Sequence, residues 1–273
     1  MVKIAAVQMD VSLGRIDRNL ASMSQRVSEA AGNGAELVVF PECATTGYCF
    51  DSLEEASEYA EPVLGPTLQA VQQICQQHQT LVVYGFLEQD GERVFNACAC
   101  VGSQGLVASY RKVHLPYLGV DRFTTPGDRQ FEVHDIGPLK IGMNICYDTS
   151  FPETARVLSL AGADLIVLPT NWPPGAETTA QYVINARAVE NKVYAMSVNR
   201  VGLERGFQFI GYSRICDVHG NTLTEAAHQD EAILYAEIHP EEARNKRIER
   251  VPGKHAIHRF DDRRPEMYGR LVE

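Results

Sequence analysis

Apolar positions along this chain follow two periods in alternation. Residues 2–9 (VKIAAVQM) are rich in strand formers. Residues 16–31 then place Ile16, Leu20, Met23, Val27, Ala30 and Ala31 at helical spacing and close on Gly32-Asn33-Gly34. A short apolar run at 36–40 ends at Pro41. The pattern predicts a polar helix over 67–78 and strands over 81–88, 94–101 and 106–113, with a Gly-containing turn at 102–105. The second half repeats this order. Strands are predicted over 139–146, 164–170 and 192–199, helices over 152–163 and 178–191, and further strands near 212–218 and 231–238. Alternation of strand and helix calls for parallel pairing, whereas closely spaced strands call for antiparallel hairpins. A layered α/β domain with mixed sheets is therefore expected. Residues 247–273 are rich in Arg, Asp and Pro and lack periodicity; they are expected to be an extension that packs on the domain or on a partner subunit.

Composition narrows the function classes. With 273 residues, 45% of them hydrophobic, the chain can bury a substantial core; no linker divides it and no repeat at solenoid periods is visible. One domain over 1–273 is expected. The formal net charge of -10 argues against nucleic acid as a partner, which would need cations to neutralise phosphates. No apolar run approaches the roughly 20 residues of a membrane helix, and the opening residues read as a strand, so no membrane association and a cytoplasmic location are expected. The seven cysteines (43, 49, 75, 98, 100, 146 and 216) form an odd, irregular set that suits a reducing compartment better than a disulfide framework. Metal-ligand spacings such as C-x-x-C or HExxH do not occur, and Cys98 and Cys100 read as small buried hydrophobes on one strand face, so no metal is expected.

Three reactive residues stand at the ends of predicted strands. Glu42 follows LVVF-Pro, Lys112 follows VASYR, and Cys146 follows IGMNI. Each has an ordinary reading when taken alone: a helix-capping acid, a solvated lysine, a buried core thiol. Together they form a hydrolytic set, in which a thiol attacks, a carboxylate moves protons and an ammonium stabilises an oxyanion. His114 offers a competing Cys–His pairing, because a strand through 112–114 would point both side chains to one face. Asn171 and Trp172 follow an apolar strand and read either as a turn or as a pocket wall.

Three ordered segments carry a family resemblance: Pro41-Glu42 with Gly47-Tyr48, Arg111-Lys112-Val113-His114-Leu115-Pro116, and Asn144-Ile145-Cys146-Tyr147-Asp148 with Phe151-Pro152-Glu153. With VKIAAVQM and the run from Asp164 to Trp172, they resemble the nitrilase (carbon–nitrogen hydrolase) superfamily over residues 2 to about 240. The resemblance implies a four-layer α-β-β-α sandwich that pairs into a homodimer or a higher homo-oligomer and uses no cofactor. It also implies Glu42 as general base, Lys112 as oxyanion stabiliser, Cys146 as nucleophile and the Tyr147 backbone N–H as a second oxyanion donor. Many members carry an auxiliary glutamate after the lysine motif; here Asp121 falls nearest that place, and a plain loop acid is the alternative. Tyr48, His114, Asn171 and Trp172 are candidate pocket residues. Tyr147-Asp148 after the cysteine resembles amidase-like branches, and Ser150 supplies no arginine clamp for an acidic substrate. A small neutral or aliphatic carboxamide is therefore the expected substrate, with N-carbamoyl compounds or nitriles as alternatives and a catalytically silent binding or scaffold protein as the reading from another class.

Overall fold

The computed structural model describes residues 1–272. The near-continuous apolar runs form the centres of two sheets, because strands covered on both faces need apolar side chains at successive positions. In chain order the first strands are β1 (Val2–Gln8), β2 (Leu37–Val39), β3 (Leu81–Asp90), β4 (Arg93–Gly102) and β5 (Gly105–Arg111). Then come β6 (Val133–Asp135), β7 (Lys140–Met143), β8 (Leu165–Thr170) and β9 (Tyr194–Asn199). A short hairpin, β10 (Leu203–Glu204) with β11 (Phe207–Gln208), precedes β12 (Ser213–Cys216), β13 (Thr222–Ala226) and β14 (Ala232–Ile238). The first sheet has the order β14-β1-β2-β3-β4-β5 and the second β13-β12-β9-β8-β7-β6. Three central strands run parallel in each, β1 to β3 and β7 to β9, and antiparallel neighbours extend both sides.

Helices close the outer faces. From α1 (Ile16–Gly32), Met23 and Val27 pack on the first sheet beside Val71 and Cys75 of α3 (Pro66–His78); a short α2 (Leu53–Ser57) lies between these helices in sequence. On the second sheet, Ala155 and Leu158 of α4 (Pro152–Leu160) meet Ile166 and Val193, and α5 (Ile184–Asn191) lies beside α4. The two-residue period of β4 shows how the layers are built. Ala97, Ala99 and Val101 face α1 and α3, whereas Cys98 and Cys100 join Ile141, Met143, Leu165 and Val167 in the core between the sheets. This is the expected α-β-β-α layering. All seven cysteines are buried and free.

Local differences from the sequence expectations have local causes. The strand expected to reach Cys146 ends at Met143, and Cys146–Ser150 form a 3-10 turn instead. There the Ile145 N–H donates to the Asp148 carboxylate at 3.0 Å rather than to a neighbouring strand. The helix expected over 178–191 opens with one π-helical stretch, Thr179–Val183, before α5. After α6 (Pro240–Arg244), the segment that lacks periodicity contains a hairpin of β15 (Arg247–Val251) and β16 (His255–His258). Most of its residues are exposed on both faces, so no alternation of apolar and polar positions marked it. Beyond it, Phe260 lies under the Arg156 guanidinium and the Lys246 ammonium, at 5.5 and 5.1 Å from ring centre.

Candidate active site

Glu42 is placed by a close approach of backbone to backbone. Beyond β2, the Phe40 N–H donates to Val83 O at 2.8 Å, and the Gly85 N–H of β3 donates to Pro41 O at 3.2 Å. A Cβ on Gly85 would lie 2.4 Å from Cys43 N and 2.7 Å from Glu42 Cα, so only glycine lets this loop lie against the strand. Both oxygens of the Glu42 carboxylate are buried but differ in surroundings. Oε1 accepts from Asn96 Nδ2 at 2.6 Å and from Lys112 Nζ at 2.7 Å. Among the described residues, Oε2 has no hydrogen-bond partner. Burial raises the Glu42 carboxyl, the Lys112 charge lowers it and the Asp121 charge raises it again, leaving it at about 7 against an ordinary 4.5.

Lys112 lies one residue past the end of β5. Its N–H donates to Asn96 O at 2.8 Å, and its carbonyl accepts from Gly127 N–H at 2.7 Å. The ammonium is fully buried and donates to Glu42 Oε1 and, at 2.5 Å, to Asp121 Oδ2. Burial opposes the charge, but the Asp121 and Glu42 carboxylates outweigh it and hold the lysine well above its usual value. Two of the three ammonium protons are engaged by these carboxylates, which leaves one for a third acceptor. Asp121 also accepts from Asn96 Nδ2 at 2.8 Å and from the Tyr48 hydroxyl at 2.6 Å. The structure thus brings Glu42, Lys112, Asp121 and Tyr48 together. The Asp121 position is a buried ion pair and not a solvated loop acid.

Asn96 is the member that sequence reasoning missed. It joins Glu42 and Asp121 by a single amide group, and its signal was present: a buried polar residue at the same period-2 positions of β4 as Cys98 and Cys100. A polar side chain on an otherwise apolar strand face needs partners. Here both partners of Nδ2 are acids, and Oδ1 accepts from the Cys43 thiol at 3.7 Å.

Cys146 opens the 3-10 turn that links β7 to α4, with φ of 45°, a left-handed conformation that a non-glycine residue rarely holds. Burial pushes its thiol up to about 12; the Glu42 charge adds to this, while the Lys112 charge, the Thr170 hydroxyl and the Asn171 N–H oppose it. The resting sulfur is therefore a thiol, within the field of both the Glu42 carboxylate and the Lys112 ammonium.

The remaining candidates divide. Asn171 has a backbone N–H that acts to lower the Cys146 thiol, and among the described residues both atoms of its buried side-chain amide lack hydrogen-bond partners. Trp172 is buried in the same inter-sheet core as Cys146, and its N–H donates to Asn199 Oδ1 at 2.8 Å. Tyr147 is 39% exposed, with its ring edge-on to Phe151. His114 turns to Asp148, its Nδ1 2.7 Å from Oδ1, and stacks on Phe151; among the described residues no hydrogen bond joins it to Cys146. Surface clefts lie elsewhere, one of about 320 Å³ beside Glu36 and Gln79 and one of about 280 Å³ between Phe50, Tyr117 and Phe207. Neither is lined by Glu42, Lys112 or Cys146, so chemistry and not concavity marks the site. A thiol, a carboxylate that titrates near neutrality and a buried ammonium can together carry out acyl transfer with proton relay.

Comparison with known proteins identifies the family of the chain. Residues 3–248 match the family model described as carbon-nitrogen hydrolase. A nitrilase of Pyrococcus abyssi (strain GE5 / Orsay) is 39% identical over 271 residues, covering 99% of this chain and 100% of that protein. An (R)-stereoselective amidase of a Pseudomonas species is 34% identical over 230 residues, covering 84% of this chain and 82% of that protein. Among solved structures, the amidase NitN of Nesterenkonia sp. AN1 superposes with a TM-score of 0.82 at 22% identity over 100% of both chains, which shows the shared fold. Another structure of that amidase carries the acetamide moiety of fluoroacetamide on its active-site cysteine. The chain belongs to the carbon-nitrogen hydrolase family and is a carbon–nitrogen hydrolase of the nitrilase superfamily.

Proposed function

We propose that the protein hydrolyses a small neutral or aliphatic carboxamide to a carboxylate and ammonia through a thioester on Cys146. The observation that carries this reading is the divided Glu42 carboxylate. One oxygen is fixed by Asn96 and Lys112, and the other is buried without a partner in a group that titrates at about 7. Such an oxygen can take the thiol proton as the sulfur attacks the carbonyl carbon. The free proton of the Lys112 ammonium and the Tyr147 N–H stabilise the tetrahedral oxyanion. Collapse breaks the carbon–nitrogen bond, and Glu42 gives its proton to the departing ammonia. Water then attacks the thioester with Glu42 again as base, and the second collapse returns the proton to sulfur. Asp121 holds the lysine, and Tyr48 holds Asp121.

The unpartnered amide of Asn171 supports a carboxamide in the pocket, since it offers both a donor and an acceptor. The relative named as a nitrilase favours a nitrile as the second reading, with the same thiol attacking a C≡N carbon. Ammonia release from a panel of carboxamides, N-carbamoyl compounds and nitriles separates these readings, together with the mass of the adduct on Cys146. Turnover confined to nitriles would replace the amide reading. No turnover and no labelling of Cys146 would leave a scaffold protein that keeps the fold. The proposal extends to assembly as a homodimer, supported by half-exposed Val157 and Leu160 on α4. Light scattering should give twice the chain mass of 30.2 kDa, and a mass of one chain would refute the pairing.

A further inference from the structure

We propose that Asp148 is the positioning residue that sets Cys146 against Lys112, an inference that rests on the cysteine mechanism above. Its fully buried carboxylate accepts four hydrogen bonds, two on each oxygen. Oδ1 receives the His114 N–H at 3.0 Å and His114 Nδ1 at 2.7 Å. Oδ2 receives the Tyr110 hydroxyl at 2.7 Å and the Ile145 N–H at 3.0 Å. Tyr110 lies on β5 of the first sheet, and His114 follows Lys112 by two residues, so three of the four donors belong to the segment that carries the lysine. The fourth is the N–H of Ile145, the residue before Cys146 and two residues past the end of β7 in the second sheet. One carboxylate therefore ties the two sheets together at the point where the thiol and the ammonium must meet.

The turn itself is closed from within and from outside. The Asp148 N–H donates to Ile145 O at 3.0 Å, and the Phe151 N–H donates to Asp148 O at 3.1 Å. The His114 ring stacks on Phe151 with centroids 3.8 Å apart and planes 15° apart. A left-handed cysteine persists only where its surroundings over-determine it. Here Asp148 holds the residue before it, and the His114–Phe151 stack holds the far end of the turn.

Replacing Asp148 by Asn tests this directly. An amide places one acceptor and one NH2 group where the carboxylate had two acceptors. If the NH2 takes the Oδ2 place, the Ile145 N–H loses its acceptor; if it takes the Oδ1 place, the His114 N–H does. One backbone donor is stranded in either orientation. In Asp148→Asn, kcat per titrated site should fall roughly 100-fold with KM within about threefold, as expected for reacting groups displaced by a fraction of an ångström to an ångström. Alkylation of Cys146 by iodoacetamide, followed by peptide mass, should slow about tenfold in the same variant. A residue that only supports the fold would lower the melting temperature and the number of titratable sites but leave kcat per site and the alkylation rate unchanged, and that result overturns the proposal. If Asp148→Asn does not accumulate as folded protein, Tyr110→Phe decides, since it keeps the carboxylate and removes one donor. A smaller loss in both readouts supports the proposal, and no change in either overturns it. The alkylation measurement needs no substrate, so a failure of the amide reading and a failure of the positioning role give different results.

Discussion

At the scale of single residues, the site turns on unequal surroundings for chemically equal atoms. Glu42 has one engaged and one free oxygen, and its pKa of about 7 is raised first by burial. The ionised form is the proposed base, so kcat/KM should climb with pH up to about 7 and level off above it. No alkaline loss should follow nearby, because Lys112 is held well above its ordinary range and the Cys146 thiol is pushed up to about 12. The limb belongs to the coupled group of Glu42, Lys112 and Asp121 rather than to one acid. A profile flat through pH 6 would remove Glu42 from the role. The same shift has the opposite sign for stability: a raised carboxyl favours the folded state below the ordinary value of 4.5, and that contribution is lost as pH rises through about 7. Cys146→Ala should abolish turnover with the fold intact, and activity within about tenfold of wild type would exclude the thioester route. Glu42→Gln should be inactive yet still alkylate at Cys146; full turnover there would reassign the base. Much of this was legible in the sequence, because reactive residues at strand ends inside ordered motifs announce themselves. The partners of Asn96 and of the Asp148 carboxylate were not, since they lie 54 and 34 positions away along the chain.

At the scale of elements, β3 acts on Glu42 through what it lacks. Gly85→Ala would put a methyl group 2.4 Å from Cys43 N, a contact with rigid backbone that cannot be relieved by a rotamer change. Overpacking of this kind costs about 1–3 kcal/mol, and here the displacement falls on the loop that carries the acid. The variant should lose activity out of proportion to its drop in melting temperature. Normal kcat in a folded Gly85→Ala protein would show that the loop position is not critical. The sequence could not have singled out this glycine, because its backbone is ordinary and only the approach of a distant loop demands it. Strands and helices themselves were readable from periodicity alone. Their ends were less so: β7 stops three residues early, for although the Asn144 N–H still reaches Val167 O of β8, the Ile145 N–H goes to a side-chain carboxylate and not to a strand.

At the scale of the molecule, two similar halves each contribute a three-stranded parallel centre, and the site forms where their ends meet across the inter-sheet core. Periodicity predicted the halves; their face-to-face packing came from the family resemblance, since nothing in the apolar pattern says which face of one sheet meets which face of the other. The last residues are joined to the body through α6, where Lys192 Nζ donates to the Glu242 and Asn245 carbonyls at 2.7 and 2.5 Å. The burial of all seven free thiols has a use beyond chemistry. Cys75 of α3 lies in the core beneath the helices of the first sheet, Cys98, Cys100, Cys146 and Cys216 lie between the sheets, and Cys43 and Cys49 lie in a third cluster, so the sulfurs report on three regions of the core. A bulky colorimetric thiol reagent should register few of the seven in the native protein and all of them in denaturant. The order in which they become reactive would then map how the sandwich opens, with no label added to the chain.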